Sequence, residues 1–497
     1  MSWVPKSSLR GALLAGLAAG AVKTAIALPF IGRYGWHRDE LYFLAAAKHP
    51  SLGYVDFPPV TAWVAWLVHA LAGNSLVALR LTSLAASVGA IVFVSLMARE
   101  LGGTRRAQFA AALAFALTPY VLAASAIYHT TWLDLLAWSA LLYVLLRVLG
   151  RPEPRLWPLA GVLAGIALET KYTVAALLIA LALGLLLTPS RRLLATRGPW
   201  LAAAIAALVL LPNLVWQAVH GWPSWKFFPS QRSATVADAT RVDFLTEHLI
   251  FFGASLIVAT VGVLWLWRRP NLRPLALVPV IVAALFVAEG GRAYYPMPAY
   301  TLPVAAGAVA IEAWLRRNRS LRIGALAALA LCQLALVIYA IPAVVPIRST
   351  AEFARSPSSA VNIFSEEIGW HELVAQTAAV WRSLTPAERA DAVILTGDYG
   401  EAGAISLFGP AEGLPQPLSG HLSWQYWHPK RMPQRHAVVV GLAPEGLDWA
   451  CEAWILVQQI SNRWNVPNEE SHDFIATCRL RRPLGELWNH GIAGDNL

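Results

Sequence analysis

Asp39, Glu40 and Asp56 fall in one short stretch, Trp36 to Pro59, reading W-H-R-D-E-L-Y-F-L-A-A-A-K-H-P-S-L-G-Y-V-D-F-P-P. A carboxylate held within reach of a hydroxyl can take its proton as a general base. Several carboxylates together can also hold a hard divalent cation. The stretch carries Arg38 and Lys48 as well, yet an apolar segment precedes it and another follows. Leu41, Leu44, Ala45 and Lys48 recur at helical spacing. Asp39-Glu40 therefore sits in a first turn, where the helix dipole favours negative charge. Gly53-Tyr54 turns the chain, and Pro58-Pro59 can open a second helix, since a missing N–H costs nothing in a first turn. Val60, Trp63, Val64, Leu67, Val68 and Leu71 then make one apolar face, as in a helix lying in a membrane interface. The plainer alternative is a wet loop in which Asp39-Glu40 is only a solvated cap.

Composition says what must position these groups. The chain has 497 residues, 57% hydrophobic and only 14% charged, too apolar for an ordinary soluble protein. Repeated apolar stretches match the roughly 30 Å of bilayer hydrocarbon. We read about eleven spans, at 9–31, 76–98, 106–124, 130–149, 156–170, 172–189, 199–216, 248–267, 273–289, 297–315 and 321–344. With eleven, the basic clusters all fall on one face. These are Lys6/Arg10, Arg99/Arg105/Arg106, Arg147/Arg151/Arg155, Arg191/Arg192/Arg197, Arg268/Arg269/Arg273 and Arg316/Arg317/Arg319/Arg322. The positive-inside rule makes that face cytoplasmic. If 156–189 were one span, the agreement would break halfway. The net charge of +10 is thus a topology signal and no sign of nucleic-acid binding. The expectation is a multi-pass protein of the cytoplasmic (inner) membrane, amino terminus inside, carboxy terminus outside.

The loops that this topology puts outside are those with chemistry in them: 32–75, the links at His129 and at Glu169–Lys171, 217–247, and Glu289 to Pro298. After Pro346 hydrophobicity drops. The division is a transmembrane module over 1–345 and an extracytoplasmic soluble α/β domain over 346–497. In the latter, Asp391–Thr396 and His436–Gly441 read as buried strands, and G-D-Y-G-E-A-G-A-I between them as strand–turn–helix. A lone turn of this kind is weak evidence for phosphate binding. Ser419–Trp427 (S-G-H-L-S-W-Q-Y-W) suits carbohydrate contact or core packing. Of three cysteines, Cys332 lies in a span, while Cys451 and Cys478 can pair if their domain faces an oxidising compartment.

The pattern D-E-x-Y followed by G-Y-x-D-x-P-P resembles the first extracytoplasmic loop of bacterial polyprenol-dependent glycosyltransferases. This is the superfamily of the protein O-mannosyltransferases (glycosyltransferase family 39) and the lipid A aminoarabinose transferase, with GT-C architecture. Weaker likeness extends over 161–173, 289–303 and 391–427. The resemblance implies a polytopic α-helical protein with a carboxy-terminal α/β domain. It implies an inverting transferase that moves a hexosyl or pentosyl unit from polyprenyl-phosphate to a lipid, polysaccharide or protein acceptor. Asp39 matches the acidic position of the superfamily and is the candidate base, with Glu40 as assistant or loop brace. Asp56 falls at the second acidic position. There the aminoarabinose branch has a lysine next, which helps bind donor phosphate; here it is Phe57, so the charge must come from elsewhere. Lys171 in E-T-K-Y-T and Arg292 in E-G-G-R-A-Y-Y-P-M-P are the candidates, each an isolated cation at the outer end of a span. Snorkelling to the interface is their ordinary alternative. The resemblance adds Asp134, in Y-H-T-T-W-L-D, as a supporting site residue, and His129 reads as a polar loop residue.

Pro58 belongs to the same loop motif. Tyr54, Tyr172, Tyr294 and Tyr295 either line a sugar site or form the usual aromatic belt. Asp39, Asp56 and Asp134 together make a candidate set for Mg²⁺ or Mn²⁺. Loop 217–247, with Trp222, Trp225, Lys226, Phe227, Phe228 and Arg232, is a candidate flap over a lipid entrance. A transporter, the first rival, would carry its charges near the bilayer midplane, whereas these gather at one face. A lipid-binding or assembly protein that keeps the fold without catalysis is the second.

Overall fold

A computed structural model describes residues 7–151, 153–229, 241–317, 319–356 and 362–493. The chain divides into two compact units: Met1–Ile31 with Phe57–Thr61 and Leu79–Ile347, and Gly32–Asp56 with Ala62–Ala78 and Arg348–Leu497. The acidic stretch 32–56 thus groups with the carboxy-terminal residues, whereas the sequence division at 345/346 leaves it with the helices that flank it.

The first unit is helical, as a backbone in hydrocarbon must be to satisfy its own polar groups. Among the described residues, six helices are long and apolar enough to cross a membrane. They are Leu9–Phe30, Leu76–Glu100, Thr130–Gly150, Arg197–Val219, Pro270–Glu289 and Ile323–Val344. Three further pairs qualify only if each bent pair counts as one span, giving up to nine. This corrects the expected eleven, and the reasons are local. Arg105–Ala116 breaks from Pro119–Ser125 by 71° at a proline, and Val174–Leu186 from Pro189–Ala195 by 106° at another, because proline removes a helix hydrogen bond and clashes with the preceding turn. Arg241–Phe252 and Ser255–Trp267 meet at 95°, where Gly253 takes a left-handed φ of +53°. The segment at 156–170 arrives as the shorter helix Pro154–Leu168, and that at 297–315 as Thr301–Arg317 (17 residues).

Helix Thr130–Gly150 runs through the core of this unit and buries Leu135, Trp138, Leu141 and Leu142. Its neighbours approach closely where side chains are small, the usual means of packing helices without a hydrophobic driving force. A Cβ on Gly307 would come within 1.8 Å of the Val258 carbonyl oxygen, and one on Gly262 within 1.8 Å of that of Pro303.

The second unit is built on a five-stranded sheet of β1 (Ala392–Thr396), β2 (Leu418–Ser419), β3 (His436–Val440), β4 (Cys451–Gln459) and β5 (Phe474–Leu480). The order is β2-β1-β3-β5-β4; β1 pairs in parallel with β2 and β3, while β5 runs antiparallel to β3 and β4. Successive strand residues point to opposite faces. Accordingly Ile394, Val438, Val440 and Ile475 enter one core, and Leu395, Ala437, Val439 and Ala476 the other. Both expected strands and the helix after them, Tyr399–Phe408, are present. Cys451 and Cys478 form a disulfide linking β4 to β5. Leu41, from the acidic stretch, is buried in the first of the two cores beside Trp370 and Ile405.

Candidate active site

In the second unit the acidic stretch folds as helix Arg38–Lys48, closed by a capping box. The His37 ring nitrogen accepts from the Asp39 backbone N–H (3.1 Å), and Glu40 accepts from the His37 backbone N–H (2.8 Å). Glu40 is fully buried, with its carboxylate closing the cap. Asp39, next to it, retains a side chain 25% exposed, and its Oδ1 accepts the Tyr399 hydroxyl at 2.8 Å. Burial, then the Asp39 charge, raises the Tyr399 pKa well above its ordinary value, so the phenol stays protonated and donates.

Tyr399 begins helix Tyr399–Phe408, whose own capping box is made by Asp398 and Glu401. Asp398 accepts from the Gly400 N–H (2.5 Å) and pairs with the buried Arg38 (2.7 Å) and His421 (3.2 Å). Burial would push the Asp398 carboxyl up, but Arg38 and His421 outweigh it and hold it well below the usual carboxylate range. The Arg38 guanidinium also lies 4.8 Å from the Tyr399 ring centre and pairs with Glu469. Two carboxylates thus occupy the amino terminus of this helix.

Asp56 closes the stretch. Its Oδ1 accepts the Tyr42 hydroxyl (2.8 Å), which in turn accepts from the Ser423 N–H (3.0 Å), while Ser423 Oγ accepts from the Val55 N–H (3.0 Å). Burial pushes the Asp56 carboxyl up to about 7, against the pull of the Tyr42 hydrogen bond. Segment 419–427 therefore clamps the loop: Trp424 is buried, and Trp427 stacks on His49 at 4.8 Å. Tyr54 is 1% exposed, with its hydroxyl among the Ser51 N–H and the Ala46 and His49 carbonyls. It braces the turn from inside.

A second polar cluster lies within the first unit. His129 caps helix Thr130–Gly150 by accepting from the Thr131 N–H. Thr131 Oγ1 sits 2.7 Å from the same ring nitrogen and accepts from Lys171 Nζ at 3.0 Å. Thr173 donates to Asp134 Oδ2 at 3.1 Å. Lys171 and Asp134 are thus joined through threonines on each other's segments. Lys171 Nζ also lies 5.3 and 4.8 Å from the ring centres of Tyr294 and Tyr295, where an ammonium is attracted by the aromatic faces. Arg292, on the same turn as those tyrosines, is exposed. Tyr172 points elsewhere: its hydroxyl donates to Asn213 at 2.9 Å and its ring meets Phe228 edge-on. Pro58 is buried just ahead of Val60, whose N–H donates to the Glu169 carbonyl.

Asp39 and Asp56 therefore share one unit, and Asp134, Lys171, Tyr294 and Tyr295 the other. Among the described residues no group of three His, Cys, Asp or Glu side chains could hold a metal ion. Of the expected flap, Trp222 and Trp225 are exposed; Arg232 lies outside the described residues. Reading the sequence gives Arg38 and Tyr42 no role beyond their place in the loop, and it misses Asp398 and Tyr399 as partners of that loop. Its signals for the later part of the set are the strand–turn–helix stretch G-D-Y-G-E-A-G-A-I and the segment Ser419–Trp427, which holds His421.

Residues 56–216 match the family described as dolichyl-phosphate-mannose-protein mannosyltransferase. A lipid A galacturonosyltransferase, RgtD of Rhizobium johnstonii, is 31% identical over 186 residues, 37% of this chain. The match spans only 38% of that relative's length. By fold, 94% of the chain superposes on 97% of ArnT from Cupriavidus metallidurans, solved with undecaprenyl phosphate, at a TM-score of 0.57 and 16% identity. An Archaeoglobus fulgidus oligosaccharyltransferase, solved with a tethered acceptor peptide, matches over 84% of this chain and 64% of its own, at 0.52 and 14% identity. The superfamily likeness drawn from the loop motif is borne out, as is a multi-pass helical architecture with a carboxy-terminal mixed-sheet domain.

Proposed function

We infer that this chain is a membrane glycosyltransferase of GT-C architecture that takes a sugar from polyprenyl-phosphate and attaches it to a hydroxyl of a lipid, glycan or protein. The observation that carries the reading is Asp39: a partly exposed carboxylate on a rigid, capped helix turn, fixed by the Tyr399 hydroxyl. It stands in a motif beside a segment of the matching family. A general base needs to be held in this way, because reach to the hydroxyl decides whether it works.

In the proposed step the acceptor oxygen attacks the anomeric carbon from the face opposite the phosphate. The bond between that carbon and the phosphate oxygen breaks with its electron pair going to the phosphate. The acceptor proton passes to Asp39, and the anomeric configuration inverts. Within the first unit, Lys171, oriented by Thr131 and two tyrosine rings, is a cation suited to a phosphate, and Arg292 is suited to a bidentate contact with one. One observation supports an outer-face reaction: the Cys451–Cys478 disulfide fits an oxidising compartment. The test uses purified full-length protein with labelled polyprenyl-phosphate sugars. Protein-dependent loss of label from one of them, with release of polyprenyl phosphate, is expected. Turnover of nucleotide sugars alone would overturn the proposal. Adding EDTA and restoring Mg²⁺ or Mn²⁺ in the same assay reads any metal requirement.

A further inference from the structure

A cavity within the first unit is lined by none of Asp134, Lys171, Tyr294 and Tyr295. It is a groove of about 1180 Å³ within the first unit, between helices Leu9–Ala27, Arg105–Ala116, Ser255–Trp267, Thr301–Arg317 and Arg319–Val344. Its walls are apolar, with Ile26, Leu113, Leu117, Val258, Leu334 and Val337 along its depth. Its mouth is polar. Ser8 and Thr104 cap helices Leu9–Ala27 and Arg105–Ala116 there, so two helix amino termini open at one place. Arg105, Arg106 and Arg316 stand beside them. Glu312, the acid of the mouth, is engaged by Arg316 (2.8 Å) and accepts the Thr104 hydroxyl (2.5 Å). Among the described residues no carboxylate pairs with Arg105 or Arg106. The mouth is therefore a site for an anion, with two dipole ends and two arginines bearing on it.

Helix direction sets its place. Helix Arg105–Ala116 leads away from the mouth toward His129, and helix Thr301–Arg317 leads toward the mouth from the turn that bears Tyr294. The groove thus opens on the arginine-rich face, opposite the face of Lys171. From mouth to Leu117 it follows helix Arg105–Ala116 for about 18 Å at 1.5 Å per residue, close to one leaflet, half of the roughly 30 Å core.

We propose that this groove is a binding site for an anionic phospholipid of the leaflet on the arginine-rich face, its phosphate at Arg105 and Arg106 and its acyl chains along Leu113 to Val337. Depth and charge select this occupant. A polyprenyl chain would run well past one leaflet, and a zwitterionic headgroup would bring its own cation up against the arginines.

Native mass spectrometry of the full chain, released from mixed micelles, tests this with three probes: phosphatidylglycerol, phosphatidylcholine and undecaprenyl phosphate. Phosphatidylglycerol should be retained at least fivefold over phosphatidylcholine. In R105Q/R106Q the ratio should fall to about one. In A330W, which puts an indole into the groove with both arginines present, retention of both phospholipids should fall. Equal retention of the two phospholipids by the wild type would overturn the proposal. So would an unchanged ratio in R105Q/R106Q, or displacement of phosphatidylglycerol by equimolar undecaprenyl phosphate. Should R105Q/R106Q not express, the wild type in high salt serves instead, where the fivefold preference should collapse by screening.

Discussion

At the residue scale, carboxylates close in sequence have neighbours that place them differently. Asp39 and Glu40 are adjacent, yet one is engaged by a backbone N–H inside a capping box and the other is presented beside a tyrosine hydroxyl. A hydrogen bond to a charged group contributes about 1.5–3 kcal/mol. Tyr399→Phe should therefore lower the transfer rate at saturating donor about 10- to 100-fold while leaving donor KM within a factor of two, as read by steady-state assay. Asp56 behaves differently, because burial favours its protonated form. A carboxyl raised from 3.8 to about 7 binds more protons folded than unfolded between those values, so its contribution to stability falls as pH rises from 4 to 7 and is level above. Asp56→Asn should lack that fall. After discounting for partial exposure, the variant gains about 2 kcal/mol on the wild type between pH 4 and pH 8, read by thermal unfolding across that range. Of these residues the sequence singles out Asp39 and Asp56 by motif, and leaves Tyr399 unread. A hydroxyl 360 positions downstream has no local periodicity that ties it to the loop; only the folded unit brings the two together.

At the element scale, what matters is how helix Arg38–Lys48 is seated. Gly403 faces Leu41: a Cβ there would lie 2.7 Å from the Leu41 Cβ and 3.2 Å from its carbonyl oxygen. Helix Tyr399–Phe408 can approach the loop helix so closely only because position 403 has no side chain. Gly403→Val should force the two apart, with the cost of about 1–3 kcal/mol usual for overpacking. It should also cut transfer at least tenfold, while the far side of the sheet, read by near-UV signals of Trp488, stays native. The strands and helix of this region are legible because short apolar runs read as buried strands and a glycine-rich turn follows the first of them. The membrane helices were legible as apolar runs and less so as spans. Hydropathy does not register a bend, so Thr118-Pro119 and Gly253 pass unseen within windows that look continuous.

At the scale of the whole molecule, the proposed orientation puts the carboxy-terminal domain, with its Cys451–Cys478 disulfide, outside the cytoplasm. A periplasmically active reporter fused after Leu497 should be active, and the same reporter placed after Arg155 inactive; the opposite pattern would reverse the proposed orientation. Grouping of 32–56 with the carboxy-terminal residues also predicts that the loop does not fold without that domain. The measurement closest to the central claim is single-turnover transfer by purified Asp39→Asn with labelled polyprenyl-phosphate sugar. The account predicts a rate at least 100-fold below wild type, the contribution expected of a general base, with donor binding and melting temperature unchanged. Transfer at the wild-type rate would remove Asp39 from the chemistry and contradict the account.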